Sequence, residues 1–324
     1  MSKYGDPLLD SIAERLCSDD PGIRRVAVLD LVDSPEEEAV ELLLTALADS
    51  DESVRMEAAR VIDEFEPRDM MDALVEALTA TDENVRNAAA KALADLKDPG
   101  AAPALLEALK TDDAFVLAAI LRSLKQLRNA EARPKAIECL QHADPGVRRE
   151  AVGVLGYLQD TNNLPQLISV AAQDEDAEVR RAAVGALVFA NAGQVADPLV
   201  QALADEHWQV RVEACRGLGR LKVEVAIPAL IESTSDALWQ VQEAAADALG
   251  KLSAVEAIPA LGRCISDPIS NLRKSAVAAM GEIAHTDALP FIRSAMEDND
   301  PDVRKLARWA LGKVESTPAV AGRI

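Results

Sequence analysis

The chain has 324 residues, 49% of them apolar and only 3% aromatic, and a net charge of −21 at neutral pH. That apolar content excludes a disordered chain, and the scarcity of aromatics favours closely packed helices over sheets. The acidic balance disfavours DNA, RNA and anionic membranes as partners unless a local basic patch overrides it.

The opening stretch, MSKYGDPLLD, has no apolar signal-peptide core, and no run of 18 apolar residues follows it. The expectation is therefore a cytoplasmic protein with no membrane span. Residues 1–98 are the most acidic part, with 25 Asp and Glu against 10 Lys and Arg. Cys17, Cys139, Cys215 and Cys264 form no C-x-x-C pair and no zinc spacing. They read as small buried hydrophobes of a reducing compartment.

A repeat runs along the chain. Taking the aliphatic residue of each Val-Arg-like pair as position 0, it recurs at Ile23, Val54, Val85, Val116, Val147, Val179, Val210, Val241, Leu272 and Val303. The interval is 31 residues throughout, except for 32 between Val147 and Val179. Within each unit apolar residues fall at 0, +4, +8 and +11, as in Val85, Ala89, Leu93 and Leu96, which is one face of a helix. Position +4 is Ala in nine units and Ile120 in the other, a small residue that lets a preceding helix such as AIPALIEST (226–234) pack closely. Asp20-Pro21, Asp144-Pro145 and Asp300-Pro301 suit an N-cap followed by a first helical residue. His207, Leu238 and Ile269 replace Asp at −3 in units 7 to 9, so turn geometry is expected to differ there. The expected fold is all-α: ten stacked helix–turn–helix units forming a single α-solenoid over 1–314, with a loose tail over 315–324.

Arg follows position 0 in eight units, with Leu117 and Gln242 breaking the series. It reads either as a ladder for a basic-residue-seeking ligand or as an internal ladder, each Arg bonding an Asp of an adjacent turn. Its place beside the core face favours the internal ladder.

The segments DENVRNAAAKAL (82–93), DPGVRREAVGVLG (144–156) and DPDVRKLARWALG (300–312) resemble HEAT repeats, in particular the short subclass named after phycobilisome lyases. The resemblance extends over roughly residues 6–314 and is more specific for fold than for function. It implies that the second helices line a concave groove. At about 100° per residue, positions −2, +2, +6, +9 and +13 point away from the core. Trp208 and Trp239 occupy −2 and Trp309 occupies +6, so all three tryptophans fall on this stripe. Arg122, Lys125, Arg149, Arg181, Arg216, Lys274 and Lys305 share it, against Asp160, Glu243 and Asp247. Tyr157 and Phe189 stand just off it at +10, while Gly153 and Gly185 leave it open. The candidate binding groove is thus Trp208, Trp239, Trp309, Arg149, Arg181, Arg216, Lys274, Lys305, Tyr157 and Phe189. The alternative is that each Trp staples two repeats together.

No catalytic constellation is present. His142, His207 and His285 form none of the His-Glu pairs that HEAT-like deoxyhypusine hydroxylases use for iron, and there is no P-loop, H-E-x-x-H or G-x-S-x-G. HEAT-like DNA glycosylases are basic, unlike this chain. The leading reading is a non-catalytic scaffold that holds an acidic segment or helix of a protein partner, with no metal, cofactor or nucleic acid. The subclass resemblance implies another: handling of a bilin or other tetrapyrrole, whose propionates would need Arg or Lys and whose ring would stack on Trp. A maturation chaperone for a cofactor-containing enzyme shares features of both.

Overall fold

A computed structural model of the protein describes residues 6–33, 37–61, 67–81 and 83–316. The tail residues 317–324 lie outside the described residues. The described chain is helical, with no strand among the described residues, and it divides after Leu158 into two compact units. The first unit contains α1 (Pro7–Leu16), α2 (Pro21–Asp30), α3 (Glu37–Leu47), α4 (Glu52–Val61), α5 (Pro67–Ala77), α6 (Glu83–Asp95), α7 (Ala102–Ala108), α8 (Ala114–Leu127), α9 (Arg133–Cys139) and α10 (Pro145–Leu158). The second contains α11 (Leu164–Gln173), α12 (Ala177–Leu187), α13 (Ala192–Ala202), α14 (Trp208–Leu221), α15 (Ile227–Ser233), α16 (Trp239–Lys251), α17 (Ile258–Cys264), α18 (Ser270–Ile283), α19 (Leu289–Ala295) and α20 (Pro301–Ser316). Each odd–even pair is one repeat, and the fold is an α-solenoid. None of the described helices is long and apolar enough to cross a membrane.

Why each pair forms is local. Asp20 accepts the N–H of Gly22, Asp144 those of Gly146 and Val147, and Asp300 that of Asp302, with Pro as the first helical residue each time. Where the cap residue is His207, Leu238 or Ile269, no side chain caps the helix. Against expectation the turn keeps the geometry of the Asp-capped units: the cap residue is extended, and an Asp two residues earlier accepts its N–H, Asp205 from His207, Asp236 from Leu238 and Asp267 from Ile269, as Asp174 does from Asp176 and Asp298 from Asp300. Position +4 sits at the centre of each interface. All nine alanines and Ile120 are 0% exposed, so each even helix is pressed directly against its partner.

The arginines form the internal ladder. Arg180 sends two bonds to the Asp205 carboxylate, 25 residues on, at 2.8 and 3.0 Å. A third N–H binds Asp174 O and Glu175 O of its own turn. Arg211 repeats this with Asp236, Arg273 with Asp298, and, in the first unit, Arg24 with Asp49. Burial by itself would raise the Asp205 pKa, but the bonds from Arg180 and His207 N outweigh it and lower it. The Asp49 and Asp298 carboxyls are lowered chiefly by the bonds from Arg24 and Arg273. Arg55 and Arg86 donate to carbonyls of their own turns, and the Arg86 guanidinium also lies 5.9 Å from the centre of the Phe115 ring in the next repeat. The chain places no carboxylate 25 residues after either, Ala80 and Thr111 standing there.

Several even helices end in a left-handed residue at +12 that is not glycine: Arg128, Gln159, Lys222, Ser253 and Ala284, with φ of 49° to 54°. Bonds from Asn129 N to Leu124 O, Val223 N to Leu218 O, and Ala254 N to Leu249 O close three of these ends in a Schellman arrangement.

Candidate functional site

In the second unit the last turns of α14, α16, α18 and α20 enclose a cleft of about 970 Å³. Arg216, Arg220, Lys222, Lys251 and Lys313 line it, with the indole of Trp309 forming part of one wall. Opposing them are Asp247 and Glu282. The site is therefore net cationic in a protein of charge −21.

Glycine recurs at +9 along the floor of the cleft. A Cβ on Gly219 would stand 2.8 Å from Ala248 Cα, and one on Gly250 2.8 Å from Ala279 Cα, so α14, α16 and α18 approach backbone to backbone. Gly281 has another role. A Cβ there would collide with Cζ3 and Cε3 of Trp309, so the absence of a side chain at Gly281 is what lets the indole rest against the helix of the preceding repeat. Trp309 remains 42% exposed, and the Lys313 ammonium stands 5.9 Å from its ring centre. The staple and the open aromatic surface are one side chain.

Desolvation raises the pKa of Asp247, opposed by a bond from Ser275 and by the charges of Lys251 and Arg216. Glu282 is raised by desolvation and by the Asp247 charge, against Lys251. Glu243, nearby on α16, is raised by desolvation and by Asp247, against Arg216 and Lys274. The cleft thus holds cations for an anion together with carboxylates that accept protons more readily than usual.

Of the residues singled out from sequence, Arg216 and Trp309 line this cleft. Phe189 adjoins it through Arg220, whose guanidinium lies 5.4 Å from the Phe189 ring centre. Trp208 and Trp239 are the first residues of α14 and α16, both half-buried, with Trp208 stacked on His207. At 1.5 Å rise per residue the cleft begins roughly 12 Å along the helix from Trp208, at Arg216, and roughly 8 Å from Trp239, at Ala244. Arg181 is engaged by Glu178 at 2.6 Å on its own helix, Lys274 is half-buried and Lys305 exposed. Arg149 and Tyr157 belong to the first unit. There the buried Glu150 holds Arg122 at 3.0 Å, Lys125 at 2.9 Å and Arg149 at 3.8 Å. Tyr157 has the Lys125 ammonium 6.0 Å and the Arg128 guanidinium 5.9 Å from its ring centre. Three cations of the stripe in this unit therefore share one carboxylate.

Sequence reasoning missed Arg220, Lys222, Lys251, Glu282 and Lys313. The signal was position +10, which reads Tyr157, Phe189, Arg220, Lys251, Glu282 and Lys313 over the last six repeats.

No group of His, Cys, Asp and Glu among the described residues has metal-site geometry. The cysteines are free thiols, three of them buried. Burial raises the pKa of Cys139 and Cys264 and pushes Cys215 up to about 12.

A family model for HEAT repeats matches residues 40–125, 115–188, 196–279 and 264–321. No match was found among curated protein sequences. Among solved structures, yeast importin-β (Kap95p) is similar over 97% of this chain and 51% of its own, at 16% identity and TM-score 0.62. Kap95p in the structure describing the switch loops of RanGDP matches over 97% of this chain and 50% of its own, at 16% identity and TM-score 0.63. Kap121p bound to the extreme C-terminus of the protein phosphatase Cdc14p matches over 95% and 41%, at 17% identity and TM-score 0.52. The chain spans about half the length of these karyopherins or less, and at such identities the likeness is one of fold.

Proposed function

This chain belongs to the HEAT-repeat family, and from that premise we propose that it is a non-catalytic protein-interaction scaffold whose second unit holds an acidic segment of a partner. One observation carries the reading: five cations converge with an exposed indole in a cleft of about 970 Å³ on an otherwise acidic protein. Arg216, Arg220, Lys222, Lys251 and Lys313 supply charge-assisted bonds to carboxylates, and Trp309 supplies apolar area beside them. The karyopherins of similar fold support the same class of activity, since one is described bound to the C-terminus of a phosphatase. Arg181, Lys274, Lys305 and Phe189 would extend the contact within this unit, while Trp208 and Trp239 would serve a longer segment reaching the other end of the helices. Arg149 and Tyr157 would serve a separate contact on the first unit. The free, mostly buried thiols agree with a reducing, cytoplasmic setting.

The test is a fluorescein-labelled 15-residue peptide rich in Glu and Asp with one central Leu, titrated by anisotropy. Binding should weaken at least tenfold in Arg220→Glu/Lys251→Glu and fall with salt. Equal affinity for that variant and the wild type would overturn the placement in the cleft.

The phycobilisome-lyase-like reading draws on one specific feature, the flat face of Trp309 beside Lys313. A planar dicarboxylate would stack there and pair with the arginines. Mesoporphyrin added to the protein would then shift its visible absorption band, and Trp309→Ala would abolish the shift. A maturation chaperone would use the same cleft to receive its client.

A further inference from the structure

We infer that the outer face of the first repeat docks a basic amphipathic helix of a partner protein. The observation is a break in the burial pattern. Val54, Val116, Val147, Val179, Val210, Val241, Leu272 and Val303, at position 0, are at most 3% exposed and Val85 is half-buried, yet Ile23 is 44% exposed. At +3, Ala119, Glu150 and Ala244 are at most 6% exposed and the residues of the other six later repeats are half-buried, yet Val26 is 49% exposed. In other repeats the +3 side chain meets the preceding repeat: Glu150 is reached from α8 by Arg122 and Lys125. In the first repeat no described helix occupies that side.

The exposed face is continuous and preformed. On α2 the buried residues Ala27, Val28 and Leu31 lie on one side of the wheel, while Ile23, Val26 and Leu29 lie on the other. The Arg15–Asp30 ion pair, at 2.6 Å, ties α1 to α2. The spacing of three residues along α2 presents a ridge that fits the groove of a packed helix.

Charge selects the occupant. Residues 6–33 hold seven carboxylates against three arginines. Each of those arginines already meets a carboxylate: Arg15 meets Asp30, Arg24 meets Asp49, and Arg25 meets Glu57 at 3.8 Å. The apolar ridge thus stands in a negative field. A second copy of this chain would bring the same acidic face and be repelled, whereas a helix with an apolar stripe and flanking Lys or Arg complements both features.

The probe is a fluorescein-labelled 14-residue Leu/Lys peptide with leucines at helical spacing, compared with a peptide of the same composition scrambled to destroy the apolar face. The full-length protein should bind the amphipathic peptide at least tenfold more tightly than the scrambled one. Ile23→Ser/Val26→Ser, which alters only exposed positions, should erase that preference while helix content and melting stay unchanged. Equal binding of the two peptides would reduce the face to non-specific charge and overturn the proposal. So would a preference that survives the double substitution. A dimer in sedimentation that the double substitution dissociates would assign the face to a second copy instead.

Discussion

Gln242→Arg should stabilise the protein, because it completes a ladder whose other half is already in place. In the second unit Arg180, Arg211 and Arg273 each bind a carboxylate 25 residues ahead through two bonds of 2.7–3.0 Å. Gln242 stands at the same position but makes a single bond, Nε2 to Asp236 O at 2.5 Å. Asp267 waits 25 residues on, already oriented by the Ile269 N–H at 2.8 Å. The new guanidinium would gain two charge-assisted bonds, roughly 1.5–3 kcal/mol each before costs. Against this stand partial desolvation of both ions and the ordering of a side chain with about 2 kcal/mol of rotamer entropy, part of which Gln242 already loses. A net gain of about 1–2 kcal/mol remains. Urea unfolding followed by circular dichroism measures it, and the second substitution Asp267→Asn should remove most of the gain. No gain, or a gain that persists when Asp267→Asn is added, would refute the reasoning.

Gly281→Val should drive the Trp309 indole off α18, shifting its emission to the red and weakening any ligand of the cleft at least tenfold; emission spectra of Trp208→Phe/Trp239→Phe carrying the change would report it. Glu150→Gln removes a 5%-exposed carboxylate shared by three cations and should cost about 2 kcal/mol in thermal unfolding, discounted for the partial exposure of Arg122. Acidification should act in two stages. Asp247, Glu282 and Glu243 have raised pKa values, so their unfavourable burial as anions is relieved first, as pH falls toward and through the usual 3.8–4.5 range. A sulfonated naphthalene probe, whose charge does not change, should bind the cleft more tightly over that interval. Asp49, Asp205 and Asp298 are lowered below 3.8, so the stability that the ladder adds is present above that value and lost only as pH drops below it, visible as a falling Tm. Finally, a thiol reagent at pH 8 should label the exposed Cys17 rapidly and leave Cys139, Cys215 and Cys264 unlabelled until denaturant is added.

The repeat was legible in the sequence because its determinants are local. Asp-Pro starts a helix, Ala at +4 admits its partner, and Arg at +1 reaches a turn at a fixed distance. The cleft was not legible to the same degree. Straight-wheel arithmetic reached Arg216 and Trp309, set +10 just off the stripe and did not consider +12. The last helical turn is instead closed by left-handed residues such as Lys222, Ser253 and Ala284, which carry no glycine to announce them. On α14, α16 and α18 that closure sets the caps beside Arg220, Lys251 and Glu282 at the cleft, while α20 runs on as helix past Lys313 to Ser316. A repeat position fixes the direction of a side chain but not how far along the helix a site lies. Trp208 and Trp239, half-buried, begin α14 and α16, and the cleft lies toward the other end of those helices.

The missing rung also has a mechanical meaning. Within the second unit the joints between repeats six and seven, seven and eight, and nine and ten are each clamped by an arginine, and among the described contacts only the joint between eight and nine is not. That joint, α16 against α18, runs through the middle of the cleft, with Lys251 on one side and Glu282 on the other. Packing holds it instead: a Cβ on Gly250 would stand 2.8 Å from Ala279 Cα, so α16 and α18 meet backbone to backbone where the ion pair is missing. Among the described contacts, the joint at the cleft is thus gripped by shape where its neighbours are also gripped by charge.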